Sequence, residues 1–264
     1  MKTSMNVHEI LGQYILADGM DLVMDLDRSH GSWIVDQRDG SEYLDLYTMY
    51  ASQAIGYNHP GMQEISDELA RAATQKPICS DIYTEQMARF MEVFARVAMP
   101  AYLPHAFFIE GGALAVENAL KAAFDWKTRS NRADGKEDVR GDMIIHFKEA
   151  FHGRSGYTLS LTNTYNPDKT QYFPKFDWPR IDNPKLCFPV NAAEVQRVSE
   201  AELRALEQVK QANQRYGDRL AGLIIEPIQS EGGDNHFRPE FMQALRELST
   251  ENRIIFILDE VQTG

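Results

Sequence analysis

The sequence predicts an α/β protein, a mostly parallel sheet covered by helices. Three observations lead to this. Short apolar runs recur after residue 104, in "HAFFIEGG", "GDMIIHFKEAFHG", "LAGLIIEPIQSEGG" and "IIFILDEVQTG". Stretches with helical spacing of apolar residues stand between several of them, as strand–helix alternation requires. The runs are nearly continuous rather than alternating, which marks strands buried on both faces. Polar residues gather where each run expires, at Glu110-Gly111-Gly112, Phe151-His152, Glu226-Pro227 and Asp259-Glu260. In parallel sheets ligands bind beyond those carboxyl ends.

Taken in order, residues 5–16 predict a short amphipathic helix. "GSWIVDQRDGSEYLDLY" (31–47) holds two strand-like runs joined across Asp39-Gly40, a hairpin signal. Helical patterns follow over about 62–75 and 84–98, the second stopped by Pro100. After the strand "HAFFI", the segment "ALAVENALKAAFDWK" places Val116, Leu120, Ala123 and Phe124 on one helical face. The charged stretch 127–141 reads as a solvated connection, and the aromatic, proline-rich 161–185 as an ordered loop. A helix over 239–251 precedes the last strand. The expected division is an N-terminal segment, 1–60, carrying the hairpin, and a larger domain, 61–264.

A net charge of −12 and a pI near 5.1 argue against nucleic acid or an anionic membrane as the main partner. They leave room for a small anion held by backbone amides. No run approaches the roughly 18 apolar residues of a membrane span. The start, "MKTSMNVHEILGQYI", shows no apolar core of a signal peptide. Cys79 and Cys187 have no zinc or CxxC spacing and are expected as reduced, buried or partly buried thiols. A cytoplasmic protein is the expectation.

Three motifs could carry chemistry. "IIFILDE" puts Asp259 at a strand end, where it could cap a turn or hold a ligand. As the acidic strand of a phosphate-loop ATPase it would need a GxxxxGK[ST] partner, and there is none, nor any GxGxxG. A metal site at Asp259-Glu260 with Glu226 is disfavoured for the same lack of a nucleotide loop. "EGGALAVENALK" sets two glycines before a helix, so backbone amides could meet an anion such as a phosphate. A plain tight turn is the alternative. In "FKEAFHGRSGYTLSLTN", Phe151 could lie against a planar ring and Arg154 could grip a carboxylate. A packed Phe, a satisfied His and a surface Arg would give the same letters.

Across nearly its whole length the chain resembles the class III, pyridoxal-phosphate-dependent aminotransferases. The motifs are "DGSEYLDLYTMYAS", "GYNHP", "GGALAVENALKAAFDWK", "AFHGRSGYTLSLTNT", "FPKFDWPRID", "EPIQSEGGD" and "ILDEVQTG", in that order. The middle ones, with Ala113 in place of a hydroxyl residue after Gly112, are similar to the branch acting on the ε-amino group of lysine. Ser230, where many relatives have glycine, is a small departure.

The resemblance implies fold type I of the pyridoxal-phosphate transferases, with the N-terminal part of a small α+β domain. It implies that Gly112 and Ala113 bind the cofactor phosphate, that Phe151 stacks on its ring with His152 beside it, and that Glu226 lies below. Asp259 would pair with the protonated ring nitrogen, and Gln262 would reach the phenolic oxygen. Arg154 would hold the substrate α-carboxylate, while Glu231 would be a switch residue between ω-amine and 2-oxoglutarate. L-Lysine, 2-oxoglutarate and a homodimer follow as expected partners. Ornithine, 4-aminobutyrate or acetylornithine enzymes are the alternative, as is a non-catalytic remnant that binds the cofactor or a partner. The catalytic Schiff-base lysine is expected beyond Gly264, so the chain reads as C-terminally incomplete. Lys121 and Lys148 lie in the wrong segments to replace it.

Overall fold

The computed structural model describes residues 6–264. The first residue of the expected 5–16 helix, and the opening residues in which no signal peptide was seen, lie outside that range. Contacts divide the chain into two compact units, Met1–Pro104 and His105–Gly264. The sequence placed its division at 60/61. The first unit takes in residues 61–104 as well, a stretch that holds three short helical segments.

In the first unit, helix α1 (Val7–Gly12) is capped by Asn6, whose side chain accepts from the Glu9 amide at 3.2 Å. The expected hairpin forms from β1 (Trp33–Val35) and β2 (Glu42–Leu44), paired antiparallel. Gly40, at φ 79°, supplies the left-handed residue of its turn. The helical pattern over 62–75 is two helices, α2 (Pro60–Glu64) and α3 (Ser66–Ala73), because Ile65 leaves helical geometry at φ −105°, ψ 15°. Helix α4 (Glu85–Val97) starts at the Thr84 cap and ends just before Pro100.

The second unit is an α/β layer structure. Helix α5 (Gly112–Ala133) leads to β3 (Met143–Phe147), then the single turn α6 (Thr158–Leu161) and the short β4 (Arg180–Ile181). The long α7 (Ala192–Tyr216) returns the chain to β5 (Leu220–Ile225). A small antiparallel pair, β6 (Ile228–Gln229) and β7 (Asn235–His236), precedes α8 (Pro239–Glu251) and β8 (Ile255–Leu258). The main sheet runs β4-β3-β5-β8 and is parallel throughout. Every residue of β3 and β5 is buried, as expected of strands covered on both faces. Leu120 of α5 and Phe241 and Leu245 of α8 join Ile144, Phe147, Leu223 and Ile224 in one core.

Four expectations need correction. "HAFFI" forms no strand: its five residues are exposed and lie outside regular secondary structure, since no described strand pairs with them. Residues 127–133 are not a solvated connection but the last turns of α5. There Lys127 and Asn131 continue the buried stripe of Val116, Leu120 and Ala123. The Lys127 stem packs on Gly141, its ammonium donates to the Arg253 carbonyl at 3.1 Å, and Asn131 donates to the Asp218 carbonyl at 2.8 Å. These two polar side chains can be buried because their polar ends find backbone partners. The 161–185 loop contributes β4 to the sheet edge. Finally, Cys187 is exposed rather than buried, while Cys79 is partly covered, and both are free thiols.

Candidate active site

The site is built at the carboxyl ends of β3, β5 and β8. At the end of β8 the Asp259 amide donates to the Ile225 carbonyl at 3.0 Å, so the register continues one residue past the strand. That holds the Asp259 carboxyl group inside the protein, 8% exposed. Its Oδ1 accepts from the Val261 amide at 3.2 Å, which shapes the turn that follows.

The other oxygen meets a histidine from the end of β3. His152 Nδ1 lies 2.7 Å from Asp259 Oδ2, and both side chains are almost wholly buried. Because a carboxylate only accepts, Nδ1 carries a proton and donates it to Asp259. Nε2 is buried and has no hydrogen-bond partner. The histidine backbone is fixed by Thr162, whose hydroxyl accepts from the His152 amide at 2.9 Å and donates to the Gly153 carbonyl at 2.7 Å.

Glu226, at the end of β5, is 6% exposed and accepts from the Phe151 amide at 2.8 Å. Burial pushes its carboxyl group up to about 7. The nearby His152 and the Phe151 hydrogen bond work against that rise, while Asp259 and Glu231 add to it. Phe151 itself is half-buried above this acid.

The glycine turn closes the same space. Gly111 caps α5 at φ 85° with no side-chain hydrogen bond, so the helix presents its leading amides unshielded. A Cβ on Gly112 would lie 2.8 Å from a Val261 methyl, and one on Gly153 would lie 2.5 Å from the Ala113 Cβ. These two close approaches bring the start of α5 against both the Asp259 turn and the His152 loop. Gly112, Ala113, Phe151, His152, Glu226 and Asp259 therefore surround one locus.

The remaining predicted residues lie at its margin. Arg154 is exposed and makes no ion pair among the described residues; Gln262 is exposed in the turn after Asp259. Glu231 forms an ion pair with Lys169 from the 161–185 loop and is near enough to act on Glu226. Lys148, considered and set aside as a catalytic lysine, is paired with Asp182 at 2.5 Å.

Sequence reasoning missed Glu117. Its Oε1 accepts from the Ser155 hydroxyl and the Tyr157 amide, each at 2.7 Å, and so anchors the loop that carries Arg154. The signal was available: Glu117 is a charged residue inside the apolar stripe of α5, one turn beyond Ala113. Thr162 and Asn163, which fix the His152 loop from behind, gave no comparable signal.

A parallel α/β sheet with a buried acid and an uncapped helix start at its carboxyl end has the layout of a ligand-binding α/β fold. The aminotransferase class-III family model matches residues 15–264, and the chain belongs to that family. It is 53% identical to an L-lysine-epsilon aminotransferase of Mycobacterium bovis over 98% of this chain and 57% of that protein. It is 49% identical to the enzyme of that name from Streptomyces clavuligerus over the same shares. The structure superposes on a lysine aminotransferase from M. tuberculosis in the internal aldimine form with TM-score 0.92 and 52% identity, covering 98% of this chain and 59% of that one. A 4-aminobutyrate aminotransferase of Emericella nidulans is 32% identical. The chain thus spans a little under three fifths of the length of these relatives. The expected fold is the one observed, and no described helix is long and apolar enough to cross a membrane.

Proposed function

We propose that this chain supplies the cofactor-holding part of an aminotransferase that moves the ε-amino group of L-lysine to 2-oxoglutarate, giving 2-aminoadipate semialdehyde and glutamate. The observation that carries the reading is the buried His152–Asp259 pair, set beside the uncapped start of α5. The residues fit pyridoxal phosphate on two counts. A phosphate suits free helix amides beside glycines too crowded for a side chain. A buried carboxylate with a second acceptor oxygen suits a pyridinium N–H. When bound, pyridoxal phosphate supplies the electron sink that makes the substrate α- or ε-carbon acidic.

The chain's own residues do the rest. Gly112 and Ala113 hold the phosphate through their amides, and Phe151 covers one ring face. Asp259 accepts the ring N–H, and His152 keeps that carboxylate oriented by donating from Nδ1. Glu226 closes the floor, its carboxyl group pushed up to about 7 by burial, so that in its protonated form its O–H can donate toward the ring. Gln262 reaches the phenolic oxygen, Arg154 binds the α-carboxylate on the loop pinned by Glu117, and Glu231 selects between the ω-amine and a second carboxylate. The lysine that holds the cofactor covalently is assigned to the length of relatives that this chain does not span, and the full-length protein to a homodimer.

Titration with pyridoxal phosphate tests the cofactor part through absorbance and protein fluorescence. Saturable binding is expected, weakened roughly tenfold or more in Asp259→Asn, since a charge-assisted hydrogen bond contributes about 1.5–3 kcal/mol. Equal binding by the variant, or a reduced covalent adduct on a unique lysine of residues 1–264 after borohydride treatment, would overturn the assignments. Amine-donor profiling of a protein extended to the relatives' length tests the substrate. Turnover with ornithine or 4-aminobutyrate and none with lysine would move it to another branch.

A further inference from the structure

A second cleft lies at the opposite edge of the sheet. It is lined by residues that precede the strands, Gly141-Asp142 before β3 and Arg219 before β5, whereas the site above lies after them. With about 3.3 Å of rise per residue, the five residues of β3 put roughly 16 Å between the two ends. The cleft has a volume of about 810 Å³, within the range of small-molecule sites.

Its charge is opposite to that of the molecule. Four arginines line it, Arg132, Arg140, Arg215 and Arg219, in a chain of net charge −12. Arg219 is committed to Asp142 through two hydrogen bonds of 2.9 Å. Asp125, also in the lining, is taken by Arg129 at 2.8 Å. Arg132, Arg140 and Arg215 make no ion pair among the described residues, and Asp177 is the remaining lining acid without a basic partner. The cleft therefore keeps an excess of two positive charges on planar guanidinium groups.

Its wall is aromatic. Phe176 stacks on Trp178 with centroids 4.9 Å apart and planes 10° apart, yet stays 51% exposed. Tyr157 and Phe124 back the pair, and Arg215 sits over the Tyr216 ring at 5.0 Å. Trp178 is pinned by donating from its indole N–H to the Asp142 carbonyl at 2.9 Å, so the wall is rigid. A rigid ring stack with a free face favours a planar ligand, and free guanidinium groups favour an anion.

We propose that this cleft is a second binding site, separate from the cofactor locus, for a planar aromatic ring bearing a phosphate, the chemistry of a nucleoside monophosphate. The ring lies along Phe176 and the phosphate lies among Arg132, Arg140 and Arg215. Adenosine monophosphate is the probe, with adenosine and inorganic phosphate as the ring-only and charge-only arms. Calorimetry and tryptophan fluorescence on this chain are expected to give saturable binding of the monophosphate, at least tenfold tighter than either arm and weakened by salt. Arg140→Ala and Arg215→Ala should each loosen it about tenfold, as loss of one charge-assisted contact implies. Phe176→Ala should reduce it to the level of inorganic phosphate. Absence of saturable binding to the unaltered chain, equal affinity for either arm, or undiminished affinity in folded arginine variants would each overturn the site.

Discussion

Glu226 is the residue whose chemistry departs furthest from its ordinary solution behaviour within the candidate site. Its carboxyl group titrates near 7 rather than near 4.5, because burial disfavours the anion. The unfolded chain loses this proton at lower pH than the folded one does. The stability associated with the protonated acid is therefore complete below about pH 4.5, declines between 4.5 and 7, and is gone above 7. A shift of that size corresponds to roughly 3 kcal/mol. Glu226→Gln should match the parent near pH 4 and exceed it in thermal midpoint near pH 8; equal midpoints at both pH values would contradict the burial argument. His146 acts at the other end of the scale. Burial holds its imidazole down to about 3, with Nδ1 bonded to the Leu161 carbonyl at 3.2 Å. The unfolded chain takes up that proton below about 6.5, so His146 withdraws stability as pH falls from there toward 3. Glu226 and His146 share one cause, but only the glutamate lies where a ligand would sense it. At the same scale, Asp259→Ala leaves His152 buried without its partner. It should cost about 1–3 kcal/mol in denaturant unfolding, against a few tenths for the exposed Glu260→Ala.

At the scale of elements, the site depends on how closely three chain segments approach. Gly153 is held at φ 109° with Ala113 where its side chain would be. Gly153→Ala combines a disfavoured backbone with overpacking, so a loss of about 2–4 kcal/mol is expected, together with weaker anion binding at the start of α5. Unchanged unfolding in urea would show that the loop and helix are not in fact wedged together. The same element scale explains where the sequence was readable. The strands β3, β5 and β8 were legible because each is a continuous apolar run, and α8 because its period was clean. The end of α5 was misread because Lys127 and Asn131 occupy buried positions and find partners at Arg253 and Asp218, far along the chain. The strand expected at "HAFFI" has the right composition but no neighbour among the described residues, and composition cannot supply one.

For the whole molecule, the sheet order β4-β3-β5-β8 leaves β8, among the described residues, paired on the β5 side alone. Leu258, 44% exposed, and Val261 lie along or just beyond that edge. An edge strand with unpaired amides and apolar side chains recruits other strands. This chain is expected to self-associate with rising concentration in light scattering, and Leu258→Lys to reduce that association. A chain that stays monomeric at high micromolar concentration would contradict the expectation.

The sequence by itself determined the parallel sheet, the family and the residues worth watching, because continuous apolar strands and strand-end motifs are local patterns. It also placed Gly112, Phe151, His152, Glu226 and Asp259 at strand or helix ends, where a shared site was reasonable to expect. Only the tertiary structure decided that His152 turns its Nδ1 to Asp259, that Glu117 reaches back to hold the Arg154 loop, and that Glu231 is met by Lys169. Those outcomes depend on contacts between residues up to 107 positions apart. Long-range packing selects one side-chain arrangement from the many that local spacing allows, and spacing along a chain carries no record of that selection.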